Sequence, residues 1–258
     1  MNVQEYNSAA WDKLAENGIE WSIPATPETI ERARNDDWEV ILTPIKPVPR
    51  EWFGDVKGKN ILCLASGGGQ QSPILAAAGA NVTSFDASAK QLELDKLVAN
   101  RENLHIRLEK GDAADLSRFA DESFDIIFNP CSNCFMANLE PIWRECFRVL
   151  RRGGVLLTGF NNPIVYIFDT FAEENEGVLR VKNRLPYSDV ESLTEEEKAR
   201  CIAKNDPFEF SHTLDAQIGG QISAGFLIAG FYEDWWTDEA RLLNKFAPTF
   251  ISTRAIKP

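Results

Sequence analysis

A short apolar run joins a glycine-rich turn and a helix near residue 60. Residues 60–65 read Asn-Ile-Leu-Cys-Leu-Ala, which has the length and composition of a buried strand. Three glycines follow at 67–69, and a helical stretch then covers residues 70–78. Bare backbone and free helix N–H groups favour close approach of a ligand, although an ordinary tight turn needs glycine as well. The segment therefore predicts a buried strand that ends at a potential ligand site.

Strands and helices alternate along the centre of the chain. Further strands are predicted at 81–85, 104–108, 124–128 and 155–159, and helices at 88–101 and 139–150. This rhythm predicts an α/β fold in which a mostly parallel sheet has helices on both faces. Right-handed crossovers bring the carboxyl ends of such strands to one edge, where ligands bind. A helix at 213–224 and two last strands at 226–232 and 249–256 complete the prediction.

Two segments depart from this rhythm. Residues 1–58 form a tryptophan-rich leader with helices expected after Gln4 and from residues 26–27, and this helical cap either covers a sheet edge or closes a pocket. Residues 161–212 are polar and acidic, and an insertion of this length after a strand indicates a lid or substrate segment. The chain is thus divided into the leader and a main domain, 59–258, that contains the insertion.

Charge and cysteine usage limit the classes of partner. The 258-residue chain has a net charge of −12, which repels phosphate backbones and anionic membranes, so we expect neither nucleic acid nor a membrane as partner. The first residues lack the regions of a secretion signal, and the apolar runs fall short of the ~20 residues of a membrane span. Five cysteines, an odd count, then indicate reduced thiols. We expect a cytoplasmic monomer or homodimer that acts on a small molecule.

Two acidic residues follow the strands next to the glycine turn. Asp86 comes directly after the strand at 81–85, where a carboxylate suits the two hydroxyls of a ribose and equally suits the start of the next helix. Asp112 follows the third strand, where an acid suits an adenine amino group and equally a solvated turn. Three such features in order, each at the carboxyl end of a strand, predict one nucleoside site.

These motifs resemble the class I S-adenosylmethionine-dependent methyltransferases, of the small-molecule type often labelled type 11. The resemblance is good over residues 59–160 and looser from there to the end. It implies a Rossmann-like sheet of seven strands, mostly parallel, with an antiparallel last strand. It also implies an enzyme that transfers a methyl group from S-adenosylmethionine to a small molecule by in-line displacement, which needs alignment and water exclusion more than a dedicated catalytic residue.

The same resemblance implies a set of cofactor-binding residues. Asp86 would hold the ribose with Ala87 beside the adenine, Asp112 and Ala113 would hold the adenine edge, and Asn129 would lie under the cofactor. The glycine turn would wrap the methionine part; it consists of Ala65, Ser66, Gly67, Gly68 and Gly69.

Two positions depart from the family pattern. The family usually has an acid where Cys63 stands and a glycine where Ala65 stands. The missing acid keeps a second hypothesis open, that of a catalytically inactive protein that binds the cofactor or has lost it. A third hypothesis is an NAD(P)-dependent oxidoreductase, although its fingerprint wants glycine where Ser72 stands.

A few other polar residues are candidates for the acceptor site. Cys131 and Cys134 have CxxC spacing, but a zinc site needs two more ligands, so we predict half-buried thiols and no metal. Asn133 and His212 are candidate substrate residues. His212 is also the candidate general base, with a pKa range that suits a hydroxyl acceptor, and its alternative role is a hydrogen-bonded loop histidine.

Overall fold

Seven strands form one sheet, and the computed structural model describes residues 2–237 and 239–258. In chain order the strands are β1 (Asn60–Leu64), β2 (Asn81–Asp86), β3 (Ile106–Lys110), β4 (Phe124–Asn129), β5 (Leu150–Asn161), β6 (Leu227–Asp234) and β7 (Phe250–Ile256). Their order across the sheet is β3-β2-β1-β4-β5-β7-β6. The first five strands pair in parallel, and β7 is antiparallel to both of its neighbours. The predicted Rossmann-like fold class is therefore confirmed.

Helices cover both faces of this sheet. They are α1 (Val3–Glu16), α2 (Pro27–Arg34), α3 (Gln71–Ala77), α4 (Ala89–Glu102), α5 (Glu140–Val149), α6 (Thr170–Glu176), α7 (Asp189–Ser192), α8 (Glu195–Lys204) and α9 (Gly220–Ala224). Within β1, Ile61 and Cys63 pack in the core closed by α2, α3 and α4. Leu62 and Leu64 pack in the opposite core, which α5 closes. This alternation follows from the strand period of two and buries both faces of β1.

The leader contributes to the core and to the sheet edge. In α2, Ile30 and Ala33 are fully buried against the helices of the first core. In α1, Ser8 Oγ donates to the carbonyl of Ala87 at 2.7 Å, and Asn7 Nδ2 donates to the carbonyl of Phe208 at 2.9 Å. The first helix therefore bridges the loop after β2 and the end of the insertion.

The predicted helix at 213–224 is interrupted, which corrects that expectation. A π-helical turn, Asp215–Gly219, precedes α9. Trp143 Nε1 donates to the carbonyl of Ala216 at 3.0 Å, and a Cβ at Gly220 would lie 2.7 Å from the Trp143 ring. The Trp143 indole thus bonds a backbone carbonyl of this segment and leaves space only for glycine at position 220. The regular α-helix therefore begins at Gly220.

Two strand boundaries also differ from the prediction. The third strand lies two residues later than expected, and β5 starts at Leu150 rather than at residue 155. The early part of β5 is held by Arg151, whose guanidinium pairs with the Asp125 carboxylate at 2.9 Å on the neighbouring strand. In the described part of the chain, none of the helices is long and apolar enough to cross a membrane.

Candidate cofactor and acceptor site

The glycine turn after β1 is shaped by contacts with β2 and α4. Ala65 has a φ of +48°, in the left-handed region, and its N–H donates to the carbonyl of Phe85 at 2.7 Å. The Gly67 N–H donates to Asp86 Oδ2 at 3.0 Å. A Cβ on Gly67 would lie 2.6 Å from the Cβ of Gln91, so a larger residue would push the turn away from α4.

A buried carboxylate that the sequence analysis missed holds the end of this turn. Asp95 of α4 is fully buried, and its Oδ1 accepts the Gly69 N–H at 2.7 Å while its Oδ2 accepts the Ser84 hydroxyl. Burial raises the pKa of Asp95 to about 7. Burial, and to a smaller degree the Asp95 charge, raises the pKa of the Cys63 thiol to about 12. Asp95 therefore brings an acid to the turn from α4, although this chain has Cys63 at the position where an acid was expected at the end of β1.

Asp86 connects the glycine turn to the start of α4. Its Oδ1 accepts the Ser88 N–H at 2.8 Å, and its Oδ2 accepts the Gly67 N–H. Burial raises the pKa of Asp86, and the two backbone donors oppose that rise. Asp12 of α1 reinforces the same loop, because it accepts the Ser88 hydroxyl at 2.6 Å.

The loop after β3 contributes the second predicted acid. Asp112 Oδ1 accepts the Ala114 N–H at 2.9 Å, which fixes the side chain within its own turn. A Cβ on Gly111 would lie 2.5 Å from the Phe85 ring, so the loop passes directly over the end of β2. This close approach brings the Asp112 loop beside the Asp86 loop.

A single cavity of about 540 Å³ joins these loops at the carboxyl ends of the strands. Its volume lies within the range of about 300–1,000 Å³ for a site that binds one small ligand. Seven of the predicted cofactor residues line it: Ala65, Ser66, Gly67, Asp86, Ala87, Asp112 and Ala113. The wall also includes Trp11 of α1 and Trp21 of the leader.

The other predicted residues lie behind this wall. Asn129 is buried, donates to the Leu64 carbonyl at 3.1 Å and accepts the Thr158 hydroxyl at 2.9 Å, so it ties β4 to its two neighbours. Gly68 and Gly69 are buried within the turn itself. As far as the described residues define it, the lining of the cavity leaves out all three.

Asn133 and His212 support the turn that lines the acceptor side. Asn133 is buried and donates to Gln217 Oε1 at 2.8 Å. His212 Nε2 lies 2.8 Å from the Met136 carbonyl and 3.2 Å from the Asn133 carbonyl, so this nitrogen carries the proton. Burial lowers the pKa of His212, which keeps the ring neutral at pH 7. The structure places this histidine behind the 133–136 turn rather than on the cavity.

Two buried polar atoms near the glycine turn indicate which groups of S-adenosylmethionine the site could bind. Ser66 Oγ and Gln91 Oε1 have no hydrogen-bond partner within the described residues, and both residues line the cavity. An unpaired buried polar atom costs free energy, so a ligand that pairs with both is favoured. A hydroxyl and an amide oxygen suit the carboxylate and the ammonium of a methionine tail, while Asp86 and Asp112 suit the nucleoside. These residues fit the cofactor.

The opposite side of the cavity was largely missed by the sequence analysis. Cys131 was considered as a thiol beside the site, but Asn161 and Glu209 were not, and all three line the cavity. Asn161 ends β5, so the rule that drew attention to the ends of the first three strands also applies to it. Glu209 lies in an irregular segment, and no local pattern marks it.

Comparisons with known proteins agree with this architecture. Residues 62–158 match the family model described as a methyltransferase domain. The chain is 48% identical over 252 residues to the uncharacterized methyltransferase YbaJ of Bacillus subtilis, and the match covers 98% of this chain and 97% of that protein.

Solved structures extend the likeness to the fold. An S-adenosylmethionine-dependent methyltransferase from Mesorhizobium loti superposes with a TM-score of 0.62 at 20% identity, covering 80% of this chain and 94% of the other. One from Methanosarcina mazei superposes with a TM-score of 0.58 at 19% identity, covering 83% and 98% of the two chains. At these identities the likeness concerns the fold.

Proposed function

Because the chain belongs to the class I S-adenosylmethionine-dependent methyltransferases, we propose that it transfers the methyl group to a small molecule by in-line displacement. One observation carries this proposal. The first part of the glycine turn, Asp86 and Asp112 lie at the carboxyl ends of three different strands, and they line the same cavity. The cavity continues past the glycine turn to Cys131 and Asn161, which leaves room for an acceptor on the other side of β1.

The chain's own residues divide the work of binding the cofactor. Asp86 would accept the ribose hydroxyls, with Ala87 beside the adenine. Asp112 would accept the adenine amino group, with Ala113 at the adenine edge. The turn from Ala65 to Gly69 would hold the methionine tail, and Asn129 would act from beneath by fixing β1 against β4.

Methyl transfer also requires that the acceptor is aligned with the methyl group and that water is excluded from the site. When bound, S-adenosylmethionine supplies a methyl group already activated on a sulfonium. Trp11 and Trp21 of the leader line the cavity, and so do Phe135 and Phe210, so a bound acceptor would be shielded from water. We place the acceptor among small molecules, because the cavity is small and the chain carries a net charge of −12.

The test begins with ligand binding. S-adenosylhomocysteine should raise the unfolding temperature, whereas NADPH should not. Asp112→Asn keeps the acceptor for the Ala114 N–H but presents an amide donor to the adenine amino group. We expect this variant to bind S-adenosylhomocysteine at least about tenfold more weakly, which corresponds to ~1.4 kcal/mol.

Asp115→Asn is the matched control. Asp115 lies in the same loop, but its side chain is exposed and its Oδ1 accepts the Ser117 N–H. This variant should bind like the parent. Stabilisation by NADPH alone, or by neither ligand, would overturn the proposal. Methyl transfer from labelled cofactor to a metabolite library then identifies the acceptor, and His212→Ala in that assay tests whether the histidine is needed as a base.

A further inference from the structure

A chain of hydrogen bonds lies on the acceptor side of the cavity. Cys131 Sγ donates to Asn161 Oδ1 at 2.8 Å, Asn161 Nδ2 donates to Tyr166 Oη at 2.7 Å, and Tyr166 Oη lies 2.7 Å from Glu209 Oε2. Since Asn161 already donates to the phenol oxygen, the single Tyr166 proton points at Glu209. The network therefore holds Glu209 as a hydrogen-bond acceptor.

Glu209 is the last member of this series of hydrogen bonds and lines the cavity. Its Oε1 has no hydrogen-bond partner among residues 2–237 and 239–258, and the residue lines the cavity. Burial raises the pKa of Glu209, and Tyr166 opposes that rise by donating to it. The charge of Arg241 also lowers the pKa of Glu209, but the Arg241 guanidinium is paired with the Glu173 carboxylate at 2.7 Å. Oε1 of this cavity-lining residue is therefore available to a ligand.

The charged residues that line the cavity are all acidic. Three carboxylates line it, from Asp86, Asp112 and Glu209. Among the described residues of its lining, lysine, arginine and histidine are absent. An anionic acceptor would be repelled by all three carboxylates, whereas a cation would compensate for the burial of Glu209.

The topology separates the roles of these carboxylates. Asp86 ends β2 and Asp112 follows β3, on one side of β1, where the nucleoside is proposed to bind. Cys131 follows β4 and Asn161 ends β5, on the other side of β1. Glu209 is linked to that second side by the hydrogen-bond chain, so it is left for the acceptor.

We propose that Glu209 anchors an ammonium group of the methyl acceptor, so that the acceptor is an amine with an apolar body. The inference rests on the proposed function, because it assigns the second half of the same cavity. Trp11, Phe135 and Phe210 line the cavity and supply apolar and aromatic surface for the body of the amine. Tyr166 and Asn161 act as positioning residues that fix the carboxylate.

The experiment uses matched probes on the full chain saturated with S-adenosylhomocysteine. Amines, alcohols and carboxylates with the same phenylethyl, cyclohexylethyl and hexyl bodies are compared by calorimetry. The amines should bind at least about tenfold more tightly than their alcohol and carboxylate partners. Glu209→Gln, which keeps the shape of the side chain, should weaken amine binding about 10- to 100-fold and leave the alcohols nearly unchanged. Glu195→Gln, at an exposed position of α8, is the control and should change neither.

The outcomes separate this inference from the proposed function. If S-adenosylhomocysteine fails to bind the parent protein, the proposed function falls. Three results would overturn the ammonium site while the methyltransferase assignment stands, provided that S-adenosylhomocysteine binds. They are that no amine binds, that the amines bind no more tightly than the alcohols and carboxylates, or that Glu209→Gln keeps the preference for amines. If Glu209→Gln loses S-adenosylhomocysteine binding, Tyr166→Phe replaces it. That variant keeps the carboxylate without its orienting donor, and an unchanged amine preference there overturns the proposal.

Discussion

Asp95 supports the glycine turn from within the core, and its ionisation opposes folding. Its pKa is raised to about 7, against about 3.9 for an unfolded aspartate, mainly because the side chain is buried. A raised pKa means that the contribution of Asp95 to stability is complete below about pH 4 and is lost as the pH rises through about 7. The parent protein therefore loses stability at this site between those values.

Asp95→Asn removes that ionisation and keeps acceptors and donors for Gly69 and Ser84. We expect the variant to gain stability relative to the parent as the pH rises from about 4 to about 8, by at most about 4 kcal/mol. Urea unfolding at several pH values measures the difference. A difference that does not depend on pH would contradict the burial argument. Asp95→Ala serves as the contrast, because it leaves the Gly69 N–H without its acceptor and should weaken S-adenosylhomocysteine binding.

Ala65 is strained where the related enzymes usually have glycine. Its φ of +48° lies in the left-handed region, which costs an L-residue about 1–2 kcal/mol. Ala65→Gly should therefore raise the free energy of unfolding by about 1 kcal/mol, after the greater flexibility of glycine in the unfolded chain is subtracted. Ala199→Gly, at an exposed position inside α8, should lower it by about 1 kcal/mol. Urea unfolding compares the two, and a loss of stability at both positions would refute the strain.

At the scale of elements, the sequence predicts correctly those features that are specified by neighbouring residues in the chain. β1, β2 and β4 lie within one residue of their predicted ranges, because an apolar run between turn residues specifies a buried strand by itself. Asp95 also had a local signal, a charged residue on the buried face of α4 between Leu92 and Val98. Glu209 has no such local signal, because it is brought to the cavity by the Ser188–Phe210 bridge, which joins residues far apart within the insertion.

A buried asparagine is one of the residues that join the first helix to the rest of the protein. Asn7 Nδ2 donates to the carbonyls of Phe135 and Phe208, and its Oδ1 accepts the Phe208 N–H at 2.8 Å. Asn7→Ala would leave these backbone groups unpaired, so we expect the free energy of unfolding to fall by about 3 kcal/mol.

Lys13→Ala on the same helix is the matched control. Lys13 pairs with Glu16 at the surface, where 57% of its side chain is exposed, and its loss should cost less than about 0.5 kcal/mol. Urea unfolding measures both variants. Equal effects of the two substitutions would show that α1 is held by something other than Asn7.

For the whole molecule, the cavity is completed by segments far apart in the chain. The strand ends provide one wall, the leader provides Trp11 and Trp21, and the end of the insertion provides Glu209 and Phe210. Ser8 and Asn7 connect these parts, since one bonds the loop after β2 and the other bonds the end of the insertion. A ligand that orders the Ala87 loop should therefore also order α1 and the 206–210 segment.

Hydrogen exchange tests this coupling in the intact protein. S-adenosylhomocysteine should slow amide exchange in the glycine turn and in the loops after β2 and β3, and also in α1 and residues 206–210. The edge strand β6 is the internal control, because the described lining of the cavity draws none of its residues, and its exchange should stay unchanged. In Asn7→Ala the slowing should persist at the glycine turn and disappear from residues 206–210. Protection confined to the strand ends in the parent protein would show that the leader and the insertion do not close the site together.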